Sequence, residues 1–140
     1  MTNYDVFEFD GQGYKKLFNH QNWRVSILNY IEELELDQIS YVESHQFTDE
    51  AFVLLEGSCT IFFADTDDMK IKSITAINLE KNKVYKINSG IFHTHTLSKD
   101  AKLLIIEEDN TCETNSPKIL LDEKERLILN QLYMEKKHVI

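Results

Sequence analysis

Five side chains capable of metal or proton chemistry fall in two short stretches. Glu43-Ser-His45-Gln-Phe-Thr-Asp-Glu50 is followed after six residues by Gly57, and Asn88-Ser-Gly90-Ile-Phe-His93-Thr-His95 lies further along. Each stretch sets imidazole or carboxylate groups at alternate positions in a segment that otherwise reads as β-strand, and alternate positions project to one face of a sheet. Neutral imidazole beside ionised carboxylate is the donor combination that a divalent ion such as iron, manganese, zinc or nickel accepts. Such groups are costly to bury without partners, so they must meet one another or an ion. The same groups could also move protons, with Glu50 and Glu43 as the carboxylates placed to do so.

Those residues need a rigid frame, and the surrounding sequence reads as a succession of short strands between about residues 4 and 110. Tyr4–Phe9 alternates and ends at the turn Asp10–Gly13; Arg24–Leu28 is a short apolar segment; Leu36–Val42 leads into the first stretch. Ala51–Leu55 and Cys59–Ala64 flank Glu56-Gly57-Ser58, which suggests a hairpin with Gly57 in an unusual backbone conformation. Asp65–Asp68 reads as a turn. Lys70–Leu79 reads as a strand with a bulge near Ala76, and Val84–Ile87, Phe92–Leu97 and Lys102–Glu107 complete the series. Many short strands between turns predict an all-β sandwich or barrel.

After Asp109 the composition changes. Asn110–Pro117 reads as a loop, and Asp122 with Glu125 three residues on forms a helix start. A helix is predicted from Asp122 to about Lys136, with Leu127, Ile128, Leu132 and Met134 for its apolar face. The expected division is residues 1–110 as barrel and 111–140 as loop and helix, packed on the barrel or on a dimer partner.

At 140 residues, 42% hydrophobic and 28% charged, the chain is sized for one domain with a real core. Its formal net charge of −9 opposes binding to phosphate backbones, so no nucleic-acid partner is expected. No apolar run approaches the roughly 20 residues of a membrane span, and the first residues do not read as a signal peptide. No membrane association and a cytoplasmic location are therefore expected. Cys59 sits in an apolar run and is expected to be buried; Cys112 sits in a polar one and is expected to be exposed; neither is given a role. Of the aromatic residues Trp23, Tyr41, Phe47, Phe52, Phe62 and Phe92, most are expected in the core. Arg24 is a candidate anion contact, with ordinary surface placement the default.

With these residues in view, the chain resembles the cupin superfamily, small double-stranded β-helix (jelly-roll) barrels. The first family motif, His-x-His, three or four residues, Glu, six residues and Gly, falls on Glu43, His45, Glu50 and Gly57. The second, Pro-x-Gly, two residues and His, falls on Asn88, Gly90 and His93. The resemblance implies an all-β cupin barrel with an added C-terminal helix, a homodimer, and a divalent metal at Glu43, His45, Glu50 and His93. His95 is a further inward imidazole that could join them. Glu43 replaces the family's first His and Asn88 its Pro, so the ligand set is richer in carboxylate than usual.

The function expected on this reading is a metal-binding cupin that binds or transforms a polar small molecule inside the barrel. The fold does not choose the reaction. One alternative is a metal-free cupin resembling sugar-nucleotide isomerases and epimerases, with His45 and His93 as acid–base groups. The other is a non-catalytic ligand-binding or sensory module.

Overall fold

Alternating side chains along ten strands build two facing sheets. The computed structural model describes residues 3–137. The first sheet has the order β1 (Tyr14–His20), β2 (Trp23–Asn29), β9 (Lys102–Glu108), β4 (Glu50–Glu56) and β7 (Val84–Ile87). The second has β10 (Lys118–Leu120), β3 (Tyr41–Glu43), β8 (Phe92–Leu97), β5 (Cys59–Asp67) and β6 (Lys70–Asn78). Every neighbouring pair is antiparallel. Between the sheets, Phe52, Leu54, Leu103 and Ile105 of the first meet Cys59, Ile61 and Leu97 of the second in a closed apolar core.

A second core lies on the outer face of the second sheet. Val42, Phe62, Ala64, Ala76 and Phe92 are covered there by Ile39 and by Leu129, Leu132 and Tyr133 of helix α1 (Glu123–Lys137). The helix begins with a reciprocal cap: the Glu125 amide donates to Asp122 Oδ1 and the Asp122 amide donates to Glu125 Oε1. Among the described residues no helix packs on the outer face of the first sheet. The segment before β1 crosses it instead, with Asn29 Nδ2 donating to the carbonyls of Phe9 and Gly11 and Lys102 Nζ to that of Phe9.

Several expectations are corrected. Tyr4–Phe9 is not a strand, because no neighbouring strand takes up its backbone groups; the first strand is Tyr14–His20. Leu36–Val42 contributes only Tyr41 and Val42 to a strand, β3, since a 3-10 turn at Glu32–Leu34 and further turns precede it. β4 and β5 do not form a hairpin: they lie in different sheets, and the turn at Gly57 carries the chain across. Gly57 has φ +72°, and a Cβ there would lie 2.6 Å from the Ala101 Cα, so glycine is required on two counts.

The turn expected over Asp65–Asp68 is tighter, with β5 running to Asp67 and the residues Asp68 and Met69 both at positive φ. The register break in β6 lies between Ile71 and Ser73 rather than near Ala76. Residues 118–120, between the expected loop and helix, form strand β10, paired with β3. The buried face of α1 is rotated from the expected one: Leu127 and Met134 are exposed, and Leu129 is the buried residue. Trp23, Tyr41 and Phe47 are exposed, so only Phe52, Phe62 and Phe92 of the six aromatics are core. Cys59 is buried and Cys112 exposed. Residues 1–2 and 138–140, at the outer ends of the two expected units, lie outside the described residues. Among the described residues no helix is long and apolar enough to cross a membrane.

Candidate metal centre

Strand geometry brings three of the five motif side chains to one point at the mouth of the barrel. His45 lies just after β3, Glu50 opens β4 and His93 is in β8, so both sheets contribute. The backbone of His45 is held on both sides. The Gly90 amide donates to the His45 carbonyl at 2.8 Å, and the amides of Ser44 and Gln46 donate to the carbonyls of Pro117 and Asn115. Gly90 has φ +84°, the left-handed conformation that lets the second stretch turn back onto the first.

One donor atom each from His45, Glu50 and His93 lie within 4.8 Å of one another, so the group could hold a metal ion. His93 Nε2 is 3.1 Å and His45 Nε2 3.4 Å from the same oxygen, Glu50 Oε1. The opposite ring nitrogens are anchored. His93 Nδ1 is 3.0 Å from the Ile91 carbonyl, which can only accept, so the hydrogen belongs on Nδ1. His45 Nδ1 is 2.8 Å from Ser116 Oγ, a hydroxyl able to accept or donate there. With the hydrogen on Nδ1, each neutral ring turns its Nε2 lone pair toward a carboxylate that also only accepts. Three acceptors then converge with no hydrogen between them, and either an added proton or a cation must fill the gap.

The charge states follow from this crowding. Burial alone would raise the Glu50 pKa, but once the rings carry the added proton, hydrogen bonds from His45 and His93 outweigh it and hold the carboxyl well below its usual range. Burial opposes the charged form of His45, yet Glu50, Glu107 and Glu43 together raise its pKa. His95 is two residues past His93 on the same face and outside the three-donor group. Burial pushes its pKa down to about 4, so it is neutral, and neither ring nitrogen has a hydrogen-bond partner among the described residues. Glu43 pairs directly with His93 across β3 and β8 and so shares its inward face, but its carboxylate is also outside the group.

Two residues of the site were not anticipated. Glu107 is 6% exposed; burial and then the neighbouring Glu50 carboxylate push its pKa up to about 7 against the pull of Arg24. Arg24, expected at the surface, instead reaches inward to pair with Glu107 Oε1 at 2.6 Å and to donate to the Asp109 carbonyl at 3.0 Å. A signal for Glu107 was present: Leu103, Ile105 and Glu107 occupy the inward positions of β9, and a carboxylate there breaks an apolar series. Ser116, which orients His45, sits in a stretch that carried no such signal.

Above these groups opens a cavity of about 530 Å³, into which Tyr14, Arg24, Glu43, His45, Glu50 and His95 all face. The Tyr14 hydroxyl is 2.6 Å from Ser26 Oγ, which fixes the ring in the wall.

No family model and no curated protein matches the sequence. The fold has many counterparts among solved structures. A cupin-2 domain containing protein from Shewanella frigidimarina aligns with a TM-score of 0.52 at 22% identity, over 71% of this chain and 84% of that one. An RmlC-like cupin family protein with a double-stranded β-helix fold, from Methanocaldococcus jannaschii, has a TM-score of 0.52 at 11% identity, over 76% of this chain and 92% of that one. FeII HppE aligns with a TM-score of 0.52 at 17% identity, over 67% of this chain but only 48% of its own.

Proposed function

The chain has the cupin fold, and on that premise we propose that it is a metal-dependent cupin acting on or binding a small polar molecule in the barrel mouth. His45 Nε2, Glu50 and His93 Nε2 hold the ion. The observation that carries this reading is the convergence of three acceptor atoms whose rings are already anchored through Nδ1. A divalent ion there, iron, manganese, zinc or nickel, supplies Lewis acidity at the cavity floor.

The chain's own groups do the rest. His95, neutral and without partners, offers a ligand one donor and one acceptor. Glu43, half-buried on the inward face, is the group placed to move a proton, because Glu50 is committed to the ion. Tyr14 and Arg24 line the wall of the cavity. A homodimer fits the same reading, since Phe18, Trp23 and Ile106 leave the outer face of the first sheet partly apolar and exposed.

Elemental analysis tests the proposal. Protein purified without added metal, and again after reconstitution with iron, manganese, zinc and nickel, should carry about one equivalent of one of them. Less than about a tenth of an equivalent in every case sinks the metal reading. A second reading then takes over, in which Glu50 shares protons with His45 and His93 for metal-free acid–base catalysis, as in sugar-nucleotide isomerases. The raised pKa of His45 is the observation that favours it.

A further inference from the structure

Three protein donors plus solvent make the open kind of site found in catalytic centres, and a fourth protein donor completes a tetrahedral set. Glu43, at the motif position for the remaining ligand, stands outside the donor group. Glu107 is outside that group too, but its Oε2 lies 3.9 Å from His45 Nε2. Ala51 pairs with Ile106 across β4 and β9, and one step further along this antiparallel register sets Glu50 directly opposite Glu107 on the inward face. Two carboxylates directly opposed in neighbouring strands repel each other, and burial intensifies the repulsion. Both are nearly out of reach of water, Glu50 at 6% and Glu107 at 6% exposure.

The two oxygens of Glu107 are in different situations. Oε1 is tied to Arg24 at 2.6 Å. Oε2 is buried, has no hydrogen-bond partner among the described residues, and lies 3.9 Å from His45 Nε2. A buried carboxyl oxygen without a partner is costly to maintain, and this one lies beside His45 Nε2, the nearest donor atom of the three-residue group. Arg24 fixes that position, because the same guanidinium is held in turn by the Asp109 carbonyl.

We infer that Glu107 is the fourth protein ligand of the metal centre, supplied by β9 in place of Glu43, with Arg24 as its positioning residue. The inference rests on the metal reading above. It makes the donor set two imidazoles and two carboxylates with one arginine beside them, and it leaves Glu43 unligated.

Titration of the metal-free protein with zinc(II) by calorimetry, and with cobalt(II) followed by its visible absorption, separates the two claims. Glu107→Gln keeps the shape and an oxygen for Arg24, and should weaken zinc(II) binding by about 100-fold and change the cobalt(II) spectrum. Glu107→Asp keeps the charge but withdraws the oxygen by one methylene, and should show a clear loss as well. Glu43→Gln should change affinity by less than about threefold and leave the spectrum unaltered. Far-UV circular dichroism of each metal-free variant confirms its fold.

If the wild type binds neither ion, the metal reading and this inference both fall. If the wild type binds and Glu107→Gln matches it in affinity and spectrum, or Glu43→Gln carries the larger loss, this inference alone is overturned. If Glu107→Asp binds like the wild type, Glu107 contributes charge rather than a bond, which also overturns it.

Discussion

The metal-free protein should lose stability as pH rises from 5 to 8, and Glu107 should be the main cause. Burial and the opposed Glu50 carboxylate push the Glu107 pKa from an ordinary 4.5 to about 7. Between those values the folded chain keeps a proton that the unfolded chain has released. The Glu107 contribution is then full below about 4.5 and falls as pH rises, at about 1.4 kcal/mol per pH unit at its steepest. Integrated to full ionisation, a span of about 2.5 units comes to roughly 3 kcal/mol. His45 adds to the trend, because its raised pKa gives stability below its ordinary 6.5 that is lost as pH rises through the folded value. Glu50, held low, contributes a constant amount over this window, since its stabilisation is lost only in stronger acid.

The assay is urea unfolding followed by circular dichroism at pH 5, 6, 7 and 8, in chelator and at fixed ionic strength. For a chain of this size the midpoint of the wild type should fall by roughly 1–3 M across the range. Glu107→Gln imitates the protonated side chain and should retain only the shallower slope that His45 supplies. Saturating zinc(II) should reverse the trend in the wild type, because ligands must be deprotonated to bind. Parallel curves for wild type and Glu107→Gln, or a wild type more stable at pH 8 than at pH 5, refute the reasoning.

Other consequences can be checked separately. Leu129→Ala removes the buried contact of α1 and should cost about 2–4 kcal/mol in urea unfolding, while zinc(II) affinity stays at the wild-type level. Ser116→Ala leaves His45 Nδ1 without its anchor and should weaken zinc(II) binding by about 10-fold with no change in the circular dichroism spectrum. A thiol reagent should modify one cysteine of the native protein. Burial pushes Cys59 up to about 12, whereas the Thr114 hydroxyl lowers Cys112, so the rate should reach half its maximum below the usual thiol range; fast modification of both residues contradicts this.

The frame of the fold and three members of the candidate site were legible because they follow local rules. His45, Glu50 and His93 sit at motif spacings whose strands and glycine turns carry them to one point, and the Asp122–Glu125 cap needs only residues three apart. What escaped depends on partners distant in sequence. Tyr4–Phe9 alternates like a strand but has no sheet neighbour, while Tyr14–His20, polar and mostly exposed, is a strand because β2 pairs with it. Arg24 reads as a surface cation until Glu107, far along the chain, turns inward beside it. Ser116 gains its place only when β10 pairs with β3 and draws residues 115–117 along His45.

The stack of Phe7 on Phe18, with Trp23 edge-on at 5.9 Å from Phe18, has a consequence for spectroscopy. Trp23 is the chain's single tryptophan, 44% exposed and on the opposite side of β2 from Arg24. Its fluorescence is thereby insulated from the barrel mouth and sensitive to whatever happens on the bare sheet. Release of the leading segment should redden the emission and open it to soluble quenchers, while a second copy closing over the same face should do the reverse. The molecule carries an optical probe for one of its surfaces, separate from any signal given by its centre.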